Sequence, residues 1–287
     1  MKSRGFTLTE ILIVVGILAI LVALLFPVMQ GVRASAKRTA CTSNYHQANL
    51  AALLYIGDYD DHFPLVNHHP ESIPDPLRDR TWVQSVLPYV RSLKMFRCPA
   101  DYTRRSEIEA VFNGDVYAGD AFRLYYEATL RVNLGYNYLY LSPIVRVEGS
   151  WEVQPRAVSA IEDPSRTILF VDTVFSRTSS GLPDGGGSYV VIPPCRYSRV
   201  GFRVIDSFGL PPGTQVMAAS RGWKPQDPTS PYQFGLAWPW HSDRLSIVRL
   251  GGAATVVTTT GLSAGCDVKA GWAGFIKDSN QYGWDLF

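Results

Sequence analysis

The sequence has few of the short signatures by which most enzyme active sites are found. It contains no HExxH and no lysine in its glycine-rich run at 185–188, and a GxSxG pattern occurs once, at 261–265. The first two absences leave no zinc-protease helix and no phosphate-binding loop. His241 and Asp243 lie close together in the sequence, and a hydrogen-bonded histidine at a strand entry explains them better than a catalytic dyad does. We therefore expect a protein that is not an enzyme.

Cysteine is scarce, with four residues in 287. Cys41, Cys98, Cys195 and Cys266 lie far apart, and no CxxC or mixed His/Cys spacing accompanies them, so the pattern does not predict structural zinc. Net charge is also small, because 27 basic and 25 acidic residues give +2. This balance argues against a nucleic-acid binder, and we expect neither a nucleic-acid partner nor a cofactor.

Charge is absent altogether from residues 11–29. As a helix, these 19 residues would span about 28 Å, close to the hydrocarbon thickness of a bilayer. A signal-peptide core is shorter and ends at a small-residue cleavage site, whereas here a helical pattern continues. The run therefore predicts a membrane-spanning helix.

A distinctive pattern lies ahead of this apolar run. Lys2 and Arg4 are basic residues near the N-terminus, and Gly5 and Phe6 follow them. Glu10 then places a carboxylate at the edge of the membrane segment. The arrangement resembles the type IV prepilin signal. The resemblance implies that a dedicated membrane peptidase cuts after Gly5 and methylates the new N-terminus at Phe6. It also implies that Glu10 pairs with the N-terminal amine of a neighbouring subunit.

Glu10 has a second explanation, as an interfacial carboxylate that the dipole of a helix N-terminus stabilises. Pro27 lies where many type IV pilins carry a proline that kinks or melts the helix. The resemblance further implies a cytoplasmic N-terminus in the bacterial inner membrane, with the head periplasmic or extracellular, in some cases within an extracellular filament. The implied partners are a prepilin peptidase, other pilin or pseudopilin subunits and an inner-membrane assembly platform.

Beyond the membrane segment the helical pattern continues to Ile56 as an amphipathic helix. Gly57 and Pro64 then end it. Its apolar stripe predicts docking on a globular head and contains Cys41, Tyr45, Ala48, Ala52, Tyr55 and Ile56.

The head combines a short helix after Thr81 with several predicted strands, at 130–141, 167–172, 189–192 and 200–205. The best hairpin joins 245–250 to 253–260 through Gly251 and Gly252. We expect an α+β, pilin-like fold, with the long N-terminal helix packed on an antiparallel sheet with long loops. The predicted regions are a leader at 1–5, a membrane and polymerisation helix at 6–29, a docking helix at 30–56 and an extracytoplasmic head at 57–287.

A narrower resemblance extends over most of the chain. The pattern is similar to a bacterial pseudopilin-like family whose members combine the prepilin-type cleavage segment with a C-terminal H-x9-DG element. Here His241 is followed by nine residues and then Gly251-Gly252, so glycine replaces the aspartate of that element. The other matching segments are 39–44, Tyr55, 58–64, Trp82, 87–89, Phe96, 98–101, 135–137 and 164–172.

Where this resemblance is densest, it favours a disulfide between Cys41 on the helix stripe and Cys98 in the segment after the second helix. Such a bond would tie the long helix to the head. Two buried free thiols acting as small apolar residues are the alternative. A bond between Cys195 and Cys266 has weaker support.

Two further groups of residues carry candidate binding chemistry. Asp58, Asp60 and Asp61 offer oxygen ligands for Ca²⁺, although the spacing is not that of an EF-hand, and helix-end capping and turn formation explain them equally well. Trp238 and Trp240 could stack on sugar rings, or pack within their own aromatic-rich loop.

Two functional classes follow. The first is a structural subunit, a type IV pilin-like protein or pseudopilin that is processed, methylated and assembled into a filament or pseudopilus of a secretion or pilus system. The second is a minor or tip subunit, or a membrane-anchored binding module, that recognises a polysaccharide or a surface through the loop around Trp238 and Trp240. Sub-stoichiometric incorporation and glycan binding would indicate the second class.

Overall fold

One long helix and a loop-rich head make up the molecule, here described by a computed structural model. The structure describes residues 7–68, 80–90, 92–114, 121–217, 222–272 and 274–286. Helix α1 runs from Leu8 to Asp58 without interruption. Its 51 residues give a length of about 77 Å.

Among the residues that the structure describes, five shorter helices and twelve strands follow α1. The helices are α2 Trp82–Val90, α3 Ser106–Asn113, α4 Ala121–Leu130, α5 Tyr138–Leu141 and α6 Thr259–Leu262. Three short 3₁₀ helices lie at Leu93–Phe96, Val158–Ala160 and Ala270–Trp272. The strands are β1 Asn67–His68, β2 Arg80–Thr81, β3 Leu134–Tyr136, β4 Ile144–Val147, β5 Ser150–Val153, β6 Ile168–Asp172, β7 Ser176–Arg177, β8 Pro183–Asp184, β9 Tyr197–Val200, β10 Arg203–Asp206, β11 Arg244–Arg249 and β12 Ala254–Thr258.

The largest sheet has four antiparallel strands in the order β12-β11-β6-β3. Every residue of β6 is buried, as expected for a strand that has a partner on each side and is covered by α1. The β11–β12 hairpin turns at Gly251-Gly252, and Gly252 has a φ of +94°, which favours glycine. The α+β class, with a long N-terminal helix and an antiparallel head, is confirmed.

Helix α1 has two environments along its length. From Leu8 to Ala40 every side chain is exposed, whereas buried positions begin at Cys41 and include Tyr45, Ala48 and Ala52. The predicted stripe therefore faces the head, although its burial starts later than residue 30. His46 Nδ1 also lies 3.0 Å from the carbonyl oxygen of Gly252, which joins the helix to the turn of the hairpin.

The structure corrects several strand predictions. Within 130–141 only Leu134–Tyr136 is a strand, and Tyr138–Leu141 forms a helical turn whose four side chains are buried. Residues 189–192 form no strand but contribute one isolated bridge, between Val190 and Tyr136. The segment 200–205 is not one strand, because a turn at 201–202 divides it between β9 and β10.

The disulfide joins Cys195 to Cys266, with their Cα atoms 5.9 Å apart. The prediction of a Cys41–Cys98 bond is wrong for this structure, since both residues are buried free thiols. Each sulfur contacts a polar side chain instead: Cys41 Sγ lies 3.8 Å from Asp172 Oδ1, and Cys98 Sγ lies 3.3 Å from His241 Nε2. The weaker of the two pairings is therefore the one that forms.

Replacing both Cys195 and Cys266 by alanine should lower the free energy of unfolding by about 4 kcal/mol, because the bond closes a loop with a sequence separation of 71 residues. Denaturant titration of the full chain in detergent measures this loss. Wild-type protein after reduction is the matched control and should behave like the double variant. A loss below about 1 kcal/mol in both samples would contradict the stabilising role.

Candidate assembly helix and a buried polar cluster

Glu10 caps the helix on which it lies. Its carboxylate Oε2 accepts hydrogen bonds from the backbone N–H and the hydroxyl of Thr7, both at 2.8 Å. The Glu10 N–H in turn donates to Thr7 Oγ1 at 3.3 Å. This reciprocal pair is a capping box, which satisfies orphan donors at a helix N-terminus. The carboxylate is thus held at the very start of α1. Gly5 and Phe6, the predicted processing residues, lie outside the described residues.

Pro27 lies inside α1 rather than at a break. The helix continues on both sides of it, although proline has no N–H to donate to the carbonyl of Ala23. The helix is therefore not melted at Pro27. A role for Pro27 in subunit assembly stays a prediction.

The apolar half of α1 has no cover from the head. An 18-residue window within this helix has a mean hydropathy of 3.2, and none of that window is buried. By length and composition, α1 is the one helix among the described residues that could cross a membrane. Large apolar side chains stay exposed from Leu8 to Val32, and water is a costly environment for so many of them.

The three aspartates after α1 serve the turn that ends it. Asp58 Oδ2 accepts a hydrogen bond of 2.7 Å from the Tyr89 hydroxyl. Asp60 and Asp61 have φ values of 51° and 58°, a left-handed conformation that aspartate tolerates in turns. They form no group of convergent metal ligands within the part of the chain that the structure describes. Calcium binding at these residues stays a prediction.

Trp238 and Trp240 pack within the head. The Arg177 guanidinium lies 4.3 Å from the centroid of the Trp238 ring, and Trp240 Nε1 donates to the carbonyl oxygen of Thr173 at 2.9 Å. The two rings meet edge to face with centroids 6.2 Å apart. Both tryptophan side chains thus have contacts within the head itself. Glycan stacking on them stays a prediction.

Four polar side chains from distant parts of the sequence meet under α1. Cys41 comes from the helix, Cys98 from the segment after the Leu93–Phe96 turn, Asp172 from the end of β6 and His241 from the approach to β11. Their sulfur, nitrogen and oxygen atoms all lie within 4.8 Å of one another, and all four residues are buried. We call these four residues the buried polar cluster.

Neighbouring residues hold Asp172 in place. Its Oδ1 accepts a hydrogen bond of 2.5 Å from the Tyr45 hydroxyl, and its Oδ2 accepts one of 2.6 Å from the backbone N–H of Ser246. The carboxylate is therefore tied to α1 and to β11 at once. His241 Nε2 lies 3.9 Å from Asp172 Oδ2.

Burial favours the uncharged form of these groups. It raises the pKa of Asp172 to about 7, although the hydrogen bonds from Tyr45 and Ser246 oppose the shift. It also raises the pKa of the Cys41 thiol well above its usual range. Burial and the nearby charge of Arg38 lower the pKa of His241 to about 4. Ionising Asp172 or Cys41 in this buried site, without a positive charge beside it, therefore costs free energy.

Motif spacing did not reveal this cluster. Cys41 and Asp172 are 131 residues apart, and Cys98 and His241 are 143 residues apart, so no local ligand pattern connects them. A signal did exist in the family resemblance, whose segments contain all four residues without relating them to one another.

The comparison with known proteins bears on the N-terminus. Residues 1–26 match the family described as the prokaryotic N-terminal methylation motif. No curated protein and no solved structure matches the chain significantly. The chain thus carries a prepilin-type methylation motif that extends into the start of a long N-terminal apolar helix, which fits a type IV prepilin-like protein.

Proposed function

We propose that this chain is a structural subunit, a type IV pilin-like protein or pseudopilin. A prepilin peptidase cleaves it after Gly5 and methylates Phe6, and an inner-membrane platform assembles it with other subunits into a filament or pseudopilus. The observation that carries the proposal is the methylation motif at residues 1–26, which overlaps the start of a helix whose residues are exposed from Leu8 to Ala40.

The exposed half of α1 supports assembly on physical grounds. Its apolar surface is stable in a bilayer before assembly and among neighbouring copies of α1 afterwards, so both states keep it out of water. The head is then extracytoplasmic, and the Cys195–Cys266 disulfide suits that location because such bonds persist in oxidising compartments.

Glu10 has a defined part in this assembly. It is a carboxylate at the start of an otherwise apolar run and needs a cationic partner when it is surrounded by apolar helices. Cleavage before Phe6 creates an amine at the end of every subunit, which supplies that cation. Within a single chain the capping box with Thr7 holds the carboxylate at the same end of α1.

Replacing Glu10 by glutamine separates its two roles. Glutamine serves a capping box as glutamate does, so the helix end should persist while the charge is lost. Leaving one member of a buried ion pair without its partner costs about 3–5 kcal/mol, so we expect the yield of sheared filament to fall more than about tenfold. Cleavage should continue, and mass spectrometry of the membrane fraction checks this while immunoblotting measures the filament.

The matched control is Glu107→Gln, which removes an exposed carboxylate from the first turn of α3. It should assemble as the wild type does. Normal assembly of Glu10→Gln alongside failure of Glu10→Ala would show that Glu10 acts only as a cap. Native filaments and pseudopili that never contain the wild-type chain would overturn the proposed function itself.

A further inference from the structure

We propose that the buried polar cluster of Cys41, Cys98, Asp172 and His241 binds one Zn²⁺ ion that fastens α1 to the head. The inference rests on the convergence of four ligand-bearing side chains in the folded chain. It is independent of the processing and assembly of the N-terminus.

The distances suit a tetrahedral ion. Zinc bonds of about 2.0–2.3 Å to sulfur, nitrogen and oxygen place neighbouring ligand atoms roughly 3.3–3.8 Å apart. Cys98 Sγ and His241 Nε2 are 3.3 Å apart, and Cys41 Sγ and Asp172 Oδ1 are 3.8 Å apart. All four ligand atoms lie within 4.8 Å of one another, so shifts of about 1 Å close the set on one ion.

The donor types select the metal class. Two thiolates and an imidazole favour a borderline-soft cation such as Zn²⁺ over Ca²⁺ or Mg²⁺, which prefer oxygen ligands. Four protein ligands complete a tetrahedron and leave no position for a substrate, as in structural zinc sites. The site therefore contributes to folding and not to catalysis.

Residues around the ligands orient them. The Tyr45 hydroxyl and the Ser246 N–H fix the Asp172 carboxylate. The Cys98 N–H donates to Asn133 Oδ1 at 2.8 Å, and Asn133 Nδ2 donates to Asp101 Oδ2 at 2.9 Å. Outer partners of this kind hold metal ligands in position before the ion arrives.

Charge and access also suit an ion at this place. Two thiolates and one carboxylate around Zn²⁺ leave a net charge of −1, which the nearby cationic Arg38 offsets. A cleft of about 560 Å³ beside α1 has His241 in its wall, together with Arg38, Trp240 and Arg244. This cleft gives an entry path from solvent to the imidazole.

The test measures metal in the full chain purified in detergent without chelator. We expect one zinc per chain by elemental analysis, falling to less than about a tenth in Cys98→Ser and His241→Asn. The matched control is Asp243→Asn, which changes an exposed carboxylate two residues from His241 and should keep the zinc. Asparagine also tolerates the φ of 64° at that position.

A second measurement uses only the wild type, because the variants could fail to fold. Chelator-treated protein that keeps the Cys195–Cys266 disulfide is titrated with Co²⁺, and thiolate-to-cobalt absorption should saturate at one equivalent and disappear on adding Zn²⁺. Thermal unfolding should shift upward with zinc. Failure of the wild type to hold stoichiometric zinc or cobalt would overturn the proposal, and so would a Cys41–Cys98 disulfide found by mass spectrometry of the native protein.

Discussion

The Gly5→Val variant stays uncut and remains in the membrane as a precursor. The peptidase must accept the bond between residues 5 and 6, and valine places a branched side chain where glycine has none. A peptidase pocket that fits glycine cleaves a substrate with a larger residue roughly 10- to 200-fold less efficiently for each added carbon group. We therefore expect cleavage to slow at least about a hundredfold. Assembly should fail with it, since neither the amine nor the methyl group at Phe6 is formed.

Mass spectrometry of the N-terminus, in cells that contain the peptidase, measures the cut fraction. Gly16→Val is the matched control, because Gly16 lies within α1 and a Cβ built there meets no atom within 4 Å. It should be cut at the wild-type rate. Efficient cleavage of Gly5→Val would show that the processing site lies elsewhere.

A large loss of stability should come from Trp82→Ala. The Trp82 ring is fully buried, stacks on Phe170 with centroids 4.7 Å apart and meets Phe96 edge to face at 5.6 Å. Its Nε1 donates to the carbonyl oxygen of Tyr189 at 2.6 Å. Truncation removes these contacts and leaves a cavity, so we expect the free energy of unfolding to fall by about 3–5 kcal/mol.

Denaturant unfolding followed by near-UV circular dichroism measures this change. Trp151→Ala is the control, since Trp151 is 45% exposed and its removal leaves no buried cavity. Its effect should stay within about 0.5–1 kcal/mol. Equal losses in the two variants would show that Trp82 is not part of the rigid core.

The elements that sequence predicted well are those that local pattern determines. Helix α1 has an uncharged run and a continuous helical period within one stretch of chain. Its predicted end at Gly57 is wrong by a short margin, because the helix runs to Asp58, Tyr59 is its C-cap and Gly57 lies inside it. The β11–β12 hairpin has two β-rich runs around Gly251-Gly252, and its turn chemistry is equally local. Both were predicted because no distant contact is needed to specify them.

The predictions that failed depend on tertiary contacts. The alternating aromatic and apolar side chains of Tyr138–Leu141 favour a strand, yet all four become buried on a helical turn. In this turn the Leu141 N–H donates to the carbonyl oxygen of Asn137, and the Ser142 N–H donates to that of Tyr138. Cysteine pairing failed for a related reason, because sequence spacing leaves several connectivities open. Cys41 and Cys98 do come together, but in the company of Asp172 and His241, which no local pattern relates to them.

The position of Cys41 and Tyr45 has a mechanical consequence. They are the first two buried residues of α1. In the proposed assembly, tension along the exposed half of this helix therefore enters the head at this point. Tyr45 passes the load to Asp172 on β6, which has hydrogen-bonded strands on both sides. The force on α1 is thus distributed over the strands that flank β6, so separating α1 from the head would require several strands to move at once.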